Sequence, residues 1–221
     1  MAEGNPKEPG NVANGEDSAE GGKEGASENG AASGDQQQFR AQSLGLRIQK
    51  KWAGKLAKKD VAKIFIDDQT GHLLDVLFSI AKDYSGSKGQ AEKLVKHMIK
   101  MPIKIGILYR HNQFNSDELS QAENFREKFH VAARTFVKMY EGKMTFDAQV
   151  LANNLRECRD ILKLVINNHL TPKSHDRLDH VVAFFGDPEF LTAVFQKDGP
   201  YRQRLGEIVT ECHQLMDQGI L

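Results

Sequence analysis

Two arginines are the side chains best suited to bind an anionic group. Arg110 ends a long apolar segment, and Arg126 follows within the run FREKF. Two guanidinium groups that lie close together can hold phosphates through paired hydrogen bonds. The residues alone leave a second interpretation open, in which both are surface arginines that pair with Asp117, Glu123 or Glu127.

The usual patterns of catalytic and metal sites do not occur in the sequence. His169, His175 and His180 are spaced six and five residues apart, which matches no zinc pattern and spans more than one helical face. Cys158 lies about 16 Å from His169 along a helix, too far for a thiol–imidazole pair. There is no glycine-rich phosphate loop and no GxSxG elbow. We predict a protein that is not an enzyme and that holds no metal or cofactor.

The arginines, histidines and cysteines considered so far lie in segments with helical periodicity. The most apolar of these segments is 90–110. Four lysines recur in it at intervals of three and four residues: Lys93, Lys96, Lys100 and Lys104. This spacing places them on one helical face, while apolar residues cover most of the remaining circumference. The pattern predicts a buried central helix with one solvated row of lysines. Pro102 predicts a kink or a local break in that helix.

Similar periodicity recurs along the chain. It predicts helices over 72–84, 117–140 (with Ser116 as the N-cap) and 145–170, and further helices that begin near 172, 188 and 200. No strand pair is visible. The predicted fold class is therefore all-α, an antiparallel bundle of about six helices over residues 60–221.

The N-terminal region divides into two parts of opposite charge. Residues 1–38 contain eight acidic and two basic residues, lack aromatic residues and are rich in glycine, so we predict a disordered acidic tail. It would either mask a basic site or keep the protein soluble. The other 183 residues contain 28 basic and 22 acidic residues.

Residues 39–59 predict a basic amphipathic helix. Leu44, Ile48, Trp52 and Leu56 form an apolar stripe, and lysines flank it. This pattern suits the surface of an anionic membrane, and the predicted docking residues are Lys50, Lys51, Trp52 and Lys55. Two alternatives remain: a first bundle helix with solvated lysines, and a segment that binds a calmodulin-type partner or nucleic acid.

The cellular location follows from weaker signals. Cys158 and Cys212 have no CxxC spacing, which predicts free thiols in a reducing compartment. The N-terminus has no apolar signal core, and no window has the ~18 apolar residues of a spanning helix. We therefore predict a cytoplasmic monomer that associates peripherally with the plasma membrane.

Several segments resemble one family. IFIDDQTGHLLDVL (64–77), IKIGILYRHNQF (103–114), FREKF (125–129) and LRECRDILKLVINNHLTPKSHDRLDHV (155–181) are similar to the tumour-necrosis-factor-alpha-induced protein 8 family. The similarity extends over about residues 43–221. It implies helices around a large apolar cavity, preceded by a mobile basic helix, and it implies the binding and transfer of phosphoinositides in cell survival, inflammation and migration signalling.

The resemblance also implies roles for individual residues. Arg110 and Arg126 match the arginines that contact the lipid headgroup, and the lysines of the leading helix match Lys50, Lys51 and Lys55. The sequence departs from the family at Asp176, where glycine is usual, and at Trp52, where the usual residue is aliphatic.

We therefore predict a carrier of phosphoinositides and other phospholipids that acts at anionic membranes, with possible signalling-protein partners and no nucleic acid. The alternative is a non-enzymatic helical adaptor that binds signalling proteins.

Overall fold

The computed structural model describes residues 68–221 of the chain. These residues contain seven α-helices, joined by turns and short loops, and no strand. The helices are α1 (Asp68–Ser85), α2 (Lys88–Arg110), α3 (Ser116–Tyr140), α4 (Ala148–Ile166), α5 (Pro172–Phe185), α6 (Pro188–Phe195) and α7 (Arg202–Asp217). The predicted all-α bundle is confirmed. The acidic tail, the basic helix 39–59 and the docking residues Lys50, Lys51, Trp52 and Lys55 lie outside the described residues.

Side-chain caps explain where several helices begin. Asn115, and not Ser116 as predicted, is the N-cap of α3. Its side chain accepts from the backbone N–H of Glu118, whose carboxylate in turn accepts from the Asn115 N–H. This reciprocal arrangement satisfies two N–H groups that the helix itself cannot. Asp147 and Asp187 cap α4 and α6 through their carboxylates.

Several predicted boundaries differ from the observed ones. The helix predicted over 72–84 begins earlier, since α1 starts at Asp68. The observed helix α4 is shorter at both ends than the predicted helix 145–170, and it ends at Ile166. The turn that follows allows the side chains of Asn168 and His169 to reach the start of α3. Of the two outcomes predicted for Pro102, the local break does not occur, because α2 remains one continuous helix through this exposed proline.

The contacts between helices show which elements each helix packs on. The main contacts of α2 are with α1 and α5, whereas α3 packs chiefly on α4 and also on α7. The short helix α6 contacts α4, α5 and α7, and half of its eight residues are buried: Phe190, Leu191, Val194 and Phe195. Segment 90–110 forms one long helix with six buried residues, as predicted, but its main contacts are limited to two of the other helices.

Candidate functional site

An apolar cavity of about 260 Å³ lies among α1, α3, α4, α5, α6 and α7. Every side chain that lines it is apolar or a thiol: Leu77, Ile80, Phe129, Ala132, Ala133, Phe136, Leu151, Leu155, Phe185, Phe190, Leu191, Val194, Phe195, Leu205, Ile208 and Cys212. Protein interiors are normally close-packed. An apolar space of this size is therefore suited to an apolar ligand rather than to water.

One wall of the cavity reaches the protein surface on α3. Phe129 lines the cavity but is 43% exposed, and its ring stacks on that of Phe125 with the centroids 5.9 Å apart. Arg126 lies between them in sequence, one helical turn before Phe129. We call Phe125, Arg126 and Phe129 the α3 rim. A charged group thus stands beside an apolar entrance.

Arg126 makes an ion pair with Glu123. Both side chains are more than half exposed, and such surface pairs contribute little to stability because water competes with them. The sequence had left open a pairing of this kind, and the pair remains accessible to a phosphate from solvent.

Arg110 is the exposed last residue of α2. No residue of α2 lines the cavity, so the apolar face of this helix is not part of the cavity wall. The C-terminal half of α2 is nevertheless connected to α3, because Met101 and Ile105 pack in one cluster with Ala122. Ala122 lies one turn before Arg126 on α3.

A second group of polar side chains lies where α2 meets α5. We call it the basic α2–α5 interface, and its members are Lys93, His97, Lys100 and Lys104 on α2 with Ser174, Arg177 and His180 on α5. Lys104 Nζ donates to Ser174 Oγ at 2.8 Å, and Ser174 is completely buried. The predicted row of solvated lysines is therefore wrong at Lys104, which is half-buried.

The environment of this interface favours neutral side chains. His97 Nδ1 and His180 Nδ1 are 3.2 Å apart. Burial first, then His180 and the cationic side chains of Arg177, Lys100 and Lys93, lower the pKa of His97 to about 4. Burial, followed by Arg177, also lowers the pKa of Lys104.

A buried carboxylate joins the start of α3 to the end of α4. The Glu118 carboxylate accepts from Asn168 Nδ2 at 3.0 Å and lies 2.9 Å from His169 Nε2. Hydrogen bonds from His169, the Asn115 backbone and Asn168 lower the pKa of Glu118 to about 2. The capping pattern Asn-x-x-Glu at 115–118 was readable in the sequence, but the partners that are about 50 residues away were not.

Comparison with known proteins gives the same assignment as the sequence motifs. Residues 39–219 match the model of the family described as "Tumor necrosis factor alpha-induced protein 8-like". The chain belongs to the tumour-necrosis-factor-alpha-induced protein 8 family. It is 42% identical over 183 residues to the 8-like protein 1 of Danio rerio, which covers 83% of this chain and 98% of the relative.

Other members of the family are similar over the same length. The 8-like protein of Drosophila pseudoobscura pseudoobscura is 44% identical over 82% of this chain and 96% of its own length. Tumor necrosis factor alpha-induced protein 8 of Gallus gallus is 40% identical with the same coverage. The names of these family members denote no enzymatic activity.

The described residues of this family member show three further features of its chemistry. No group of three or more potential metal ligands occurs among residues 68–221, and His169 pairs with Glu118 instead. Both cysteines are free thiols, and burial raises the pKa of each. Within the same residues, no helix is sufficiently long and apolar to cross a bilayer.

Proposed function

We propose that this family member binds phospholipids, phosphoinositides among them, and transfers them at the surface of anionic membranes. The observation that carries the proposal is the apolar cavity whose wall reaches the surface at Phe129, one turn from Arg126. An apolar space beside a cationic group is complementary to an amphiphile with an anionic head. Such pairs of features are typical of ligand sites, which are mostly apolar with a few polar groups that fix orientation.

The cavity would hold part of an acyl chain. Burial of each methylene in an apolar environment stabilises a complex by about 0.8 kcal/mol. A segment of about six methylenes would therefore contribute roughly 5 kcal/mol, before the entropy lost on binding is subtracted. No polar side chain of the described lining would be left without a hydrogen-bond partner, because that lining is apolar.

The headgroup would lie at the α3 rim. Arg126 would exchange its exposed Glu123 partner for a phosphate, which carries more charge and accepts paired hydrogen bonds. Arg110 is predicted to contact the same headgroup. The clustering of Met101 and Ile105 with Ala122 supports this, since it connects the C-terminal half of α2 to the part of α3 that precedes Arg126.

Membrane contact is assigned to the segment before the bundle. Lys50, Lys51 and Lys55 would each contribute up to about 1 kcal/mol near an anionic surface, and Trp52 would insert at the interface. Together, the contributions of the three lysines and Trp52 would give a reversible attachment to the cytoplasmic face of the plasma membrane. Membership of a family named for induction by tumour necrosis factor alpha supports a role in inflammation and apoptosis signalling, and we extend that role to migration.

Extraction of phosphatidylinositol 4,5-bisphosphate from vesicles tests the headgroup assignment. Arg126→Glu and Arg110→Glu should each reduce extraction about tenfold, because each would replace a charge-assisted hydrogen bond with repulsion. The matched controls are Arg134→Glu on α3 and Lys88→Glu at the start of α2, which are both exposed positions. Extraction by Arg126→Glu at the wild-type rate would exclude the assigned role.

Vesicle sedimentation tests the docking assignment separately. A Lys50/Lys51/Lys55→Glu variant should remain in the supernatant when wild-type protein sediments with vesicles that contain phosphatidylserine. Lys88/Lys138/Lys143→Glu changes the same charge at exposed positions of the bundle and should sediment. Equal sedimentation of all three proteins would contradict a docking role for the leading segment.

The adaptor hypothesis remains the second candidate, because several large apolar side chains are exposed. Tyr109, Val131 and Leu164 are each more than half exposed, and such residues occur at protein interfaces. Native mass spectrometry distinguishes the two hypotheses. A protein that purifies without lipid and takes up none from vesicles would favour the adaptor.

A further inference from the structure

Two contacts establish how α2 and α5 face each other. Lys104 meets Ser174, and His97 meets His180. The contacts are seven residues apart on α2 and six residues apart on α5, in opposite directions along the chain, so the two helices run antiparallel. This register places Arg177 opposite the α2 turn between His97 and Lys104. Arg177 is also close enough to lower the pKa of both side chains.

Lys104 and Arg177 bring two positive charges together in the middle of this interface. In the described part of the chain, no carboxylate lies within the 4.0 Å ion-pair distance of Lys104 or Arg177. Asp179 on the same helix is occupied by Lys163 at 2.6 Å. Asp176, next to Arg177, is exposed and forms no ion pair with it. Burial of cations without counter-ions is costly, so the arrangement favours an anion from outside.

The N-terminus of α5 adds to this positive charge. Lys104 approaches Ser174 in the first turn of α5, where the helix dipole has its positive end. The N-cap residue Thr171 makes no side-chain hydrogen bond to that turn. The backbone N–H of Lys173 is therefore left without a side-chain cap. An anion at this position would satisfy the helix end and the ammonium group together.

We propose that the basic α2–α5 interface binds a phosphate group, with Arg177 and Lys104 as its ligands. Ser174 is a positioning residue, because it is fully buried and holds Lys104 by a hydrogen bond. Arg177 supplies two parallel donors and Lys104 a point charge. The site lies apart from the apolar cavity, since α2 contributes no residue to the cavity lining. It therefore does not depend on the proposed lipid cargo.

Binding of a phosphate should change the state of the neighbouring histidines. The side chains that lower the pKa of His97 are His180, Arg177, Lys100 and Lys93, and each of them is neutral or cationic. A bound dianion would offset this charge and raise the pKa of His97. Phosphate binding should therefore be coupled to proton uptake, which a purely structural interface would not show.

Isothermal titration of the full-length protein with inorganic pyrophosphate tests the proposal directly. Arg177→Gln and Lys104→Gln should weaken binding roughly tenfold each, as expected for loss of a charge-assisted hydrogen bond. Ser174→Ala should weaken it less. The matched controls Arg134→Gln and Lys138→Gln are exposed residues of α3 and should bind as wild type does. Binding that is lost only in an Arg110→Gln/Arg126→Gln variant would overturn the proposal and support the headgroup site instead.

Flotation of the same proteins with phosphatidylcholine vesicles, with or without phosphatidic acid, identifies the source of the phosphate. Pyrophosphate binding that depends on Arg177 indicates a free phosphate ligand. Dependence on Arg177 with phosphatidic acid vesicles alone indicates a lipid phosphomonoester. Wild-type protein that binds neither probe would refute the site.

The His97 titration by NMR in wild-type protein needs no variant and does not rely on mutant folding. Its pKa should rise when pyrophosphate is present. An unchanged His97 pKa at saturating pyrophosphate would place the anion elsewhere and overturn the proposal.

Discussion

The cavity and the basic α2–α5 interface bury side chains in opposite ways. Around the cavity, apolar side chains from six helices leave about 260 Å³ unfilled. Between α2 and α5, polar side chains meet in direct pairs, Lys104 with Ser174 and His97 with His180. The first region leaves space unfilled, and in the second Lys104 and Arg177 form no ion pair with a carboxylate of residues 68–221. For this reason we propose ligands of different chemistry for the two regions, apolar in one case and anionic in the other.

Core truncations should have the largest effect and should distinguish the packed core from the cavity wall. Leu94 is 0% exposed in the α1–α2 cluster, whereas Leu191 lines the cavity. We expect Leu94→Ala to lower the free energy of unfolding by about 4 kcal/mol and Leu191→Ala by about 2 kcal/mol, because a wall residue has fewer contacts to lose. Urea denaturation of delipidated protein measures both. An equal or greater loss at Leu191 would mean that the wall is as well packed as the core.

The basic α2–α5 interface should make the stability of the protein depend on pH. This effect should be smaller than that of the core truncations. The pKa of His97 is about 4 in the folded state, against 6.5 ordinarily. The unfolded chain therefore takes up a proton first, so stability is complete above pH 6.5 and falls as the pH approaches 4. We expect the melting temperature to fall by roughly 3 °C between pH 7 and pH 5, and His97→Gln should reduce this dependence. The exposed His111→Gln is the control, and an identical slope in both variants would contradict the assignment.

Glu118 should act in a separate and more acidic range. Its pKa is lowered from 4.5 to about 2, so its stabilising effect is present above pH 4.5 and is lost as the pH falls towards 2. Glu118→Gln should flatten the stability curve below pH 4.5 and leave the range between pH 5 and pH 7 as steep as in wild type. A change of slope confined to the range above pH 5 would contradict this assignment.

Thiol alkylation should give the smallest effect and should report on the cavity alone. Cys212 lines the cavity and Cys158 does not. Both thiols should react slowly, since burial raises their pKa. At a lipid concentration equal to the Kd, half of the molecules are occupied, so the reaction at Cys212 should slow about twofold. Pulsed alkylation followed by mass spectrometry measures both sites, and equal slowing at Cys158 would indicate a global effect rather than cavity occupancy.

Local features of the sequence were sufficient to predict the helices. Periodic apolar residues and caps such as Asp187 before Pro188 depend on neighbours within one or two turns, and these signals placed most elements correctly. The exceptions also have local causes. The predicted N-cap Ser116 is displaced by Asn115 because Asn115 pairs with Glu118.

Features that depend on how helices face each other could not be predicted from the residues alone. The partners His97 and His180 are 83 positions apart, and nothing in either segment specifies the register of α2 against α5. The apolar content of segment 90–110 predicted a buried helix, but it did not specify that this helix packs mainly on α1 and α5. A cavity is equally invisible, because the same apolar residues could fill a solid core; only the family resemblance predicted it.

Native mass spectrometry of a cavity-filling variant tests the central claim, that the cavity holds an acyl chain. Ala132 is buried in the cavity wall, and Ala183 is exposed on α5. After incubation with phosphatidylinositol 4,5-bisphosphate vesicles, wild type and Ala183→Phe should each carry one lipid, and Ala132→Phe should carry none while it keeps its helical circular dichroism. If Ala132→Phe carries as much lipid as wild type, the acyl chain does not bind in this cavity.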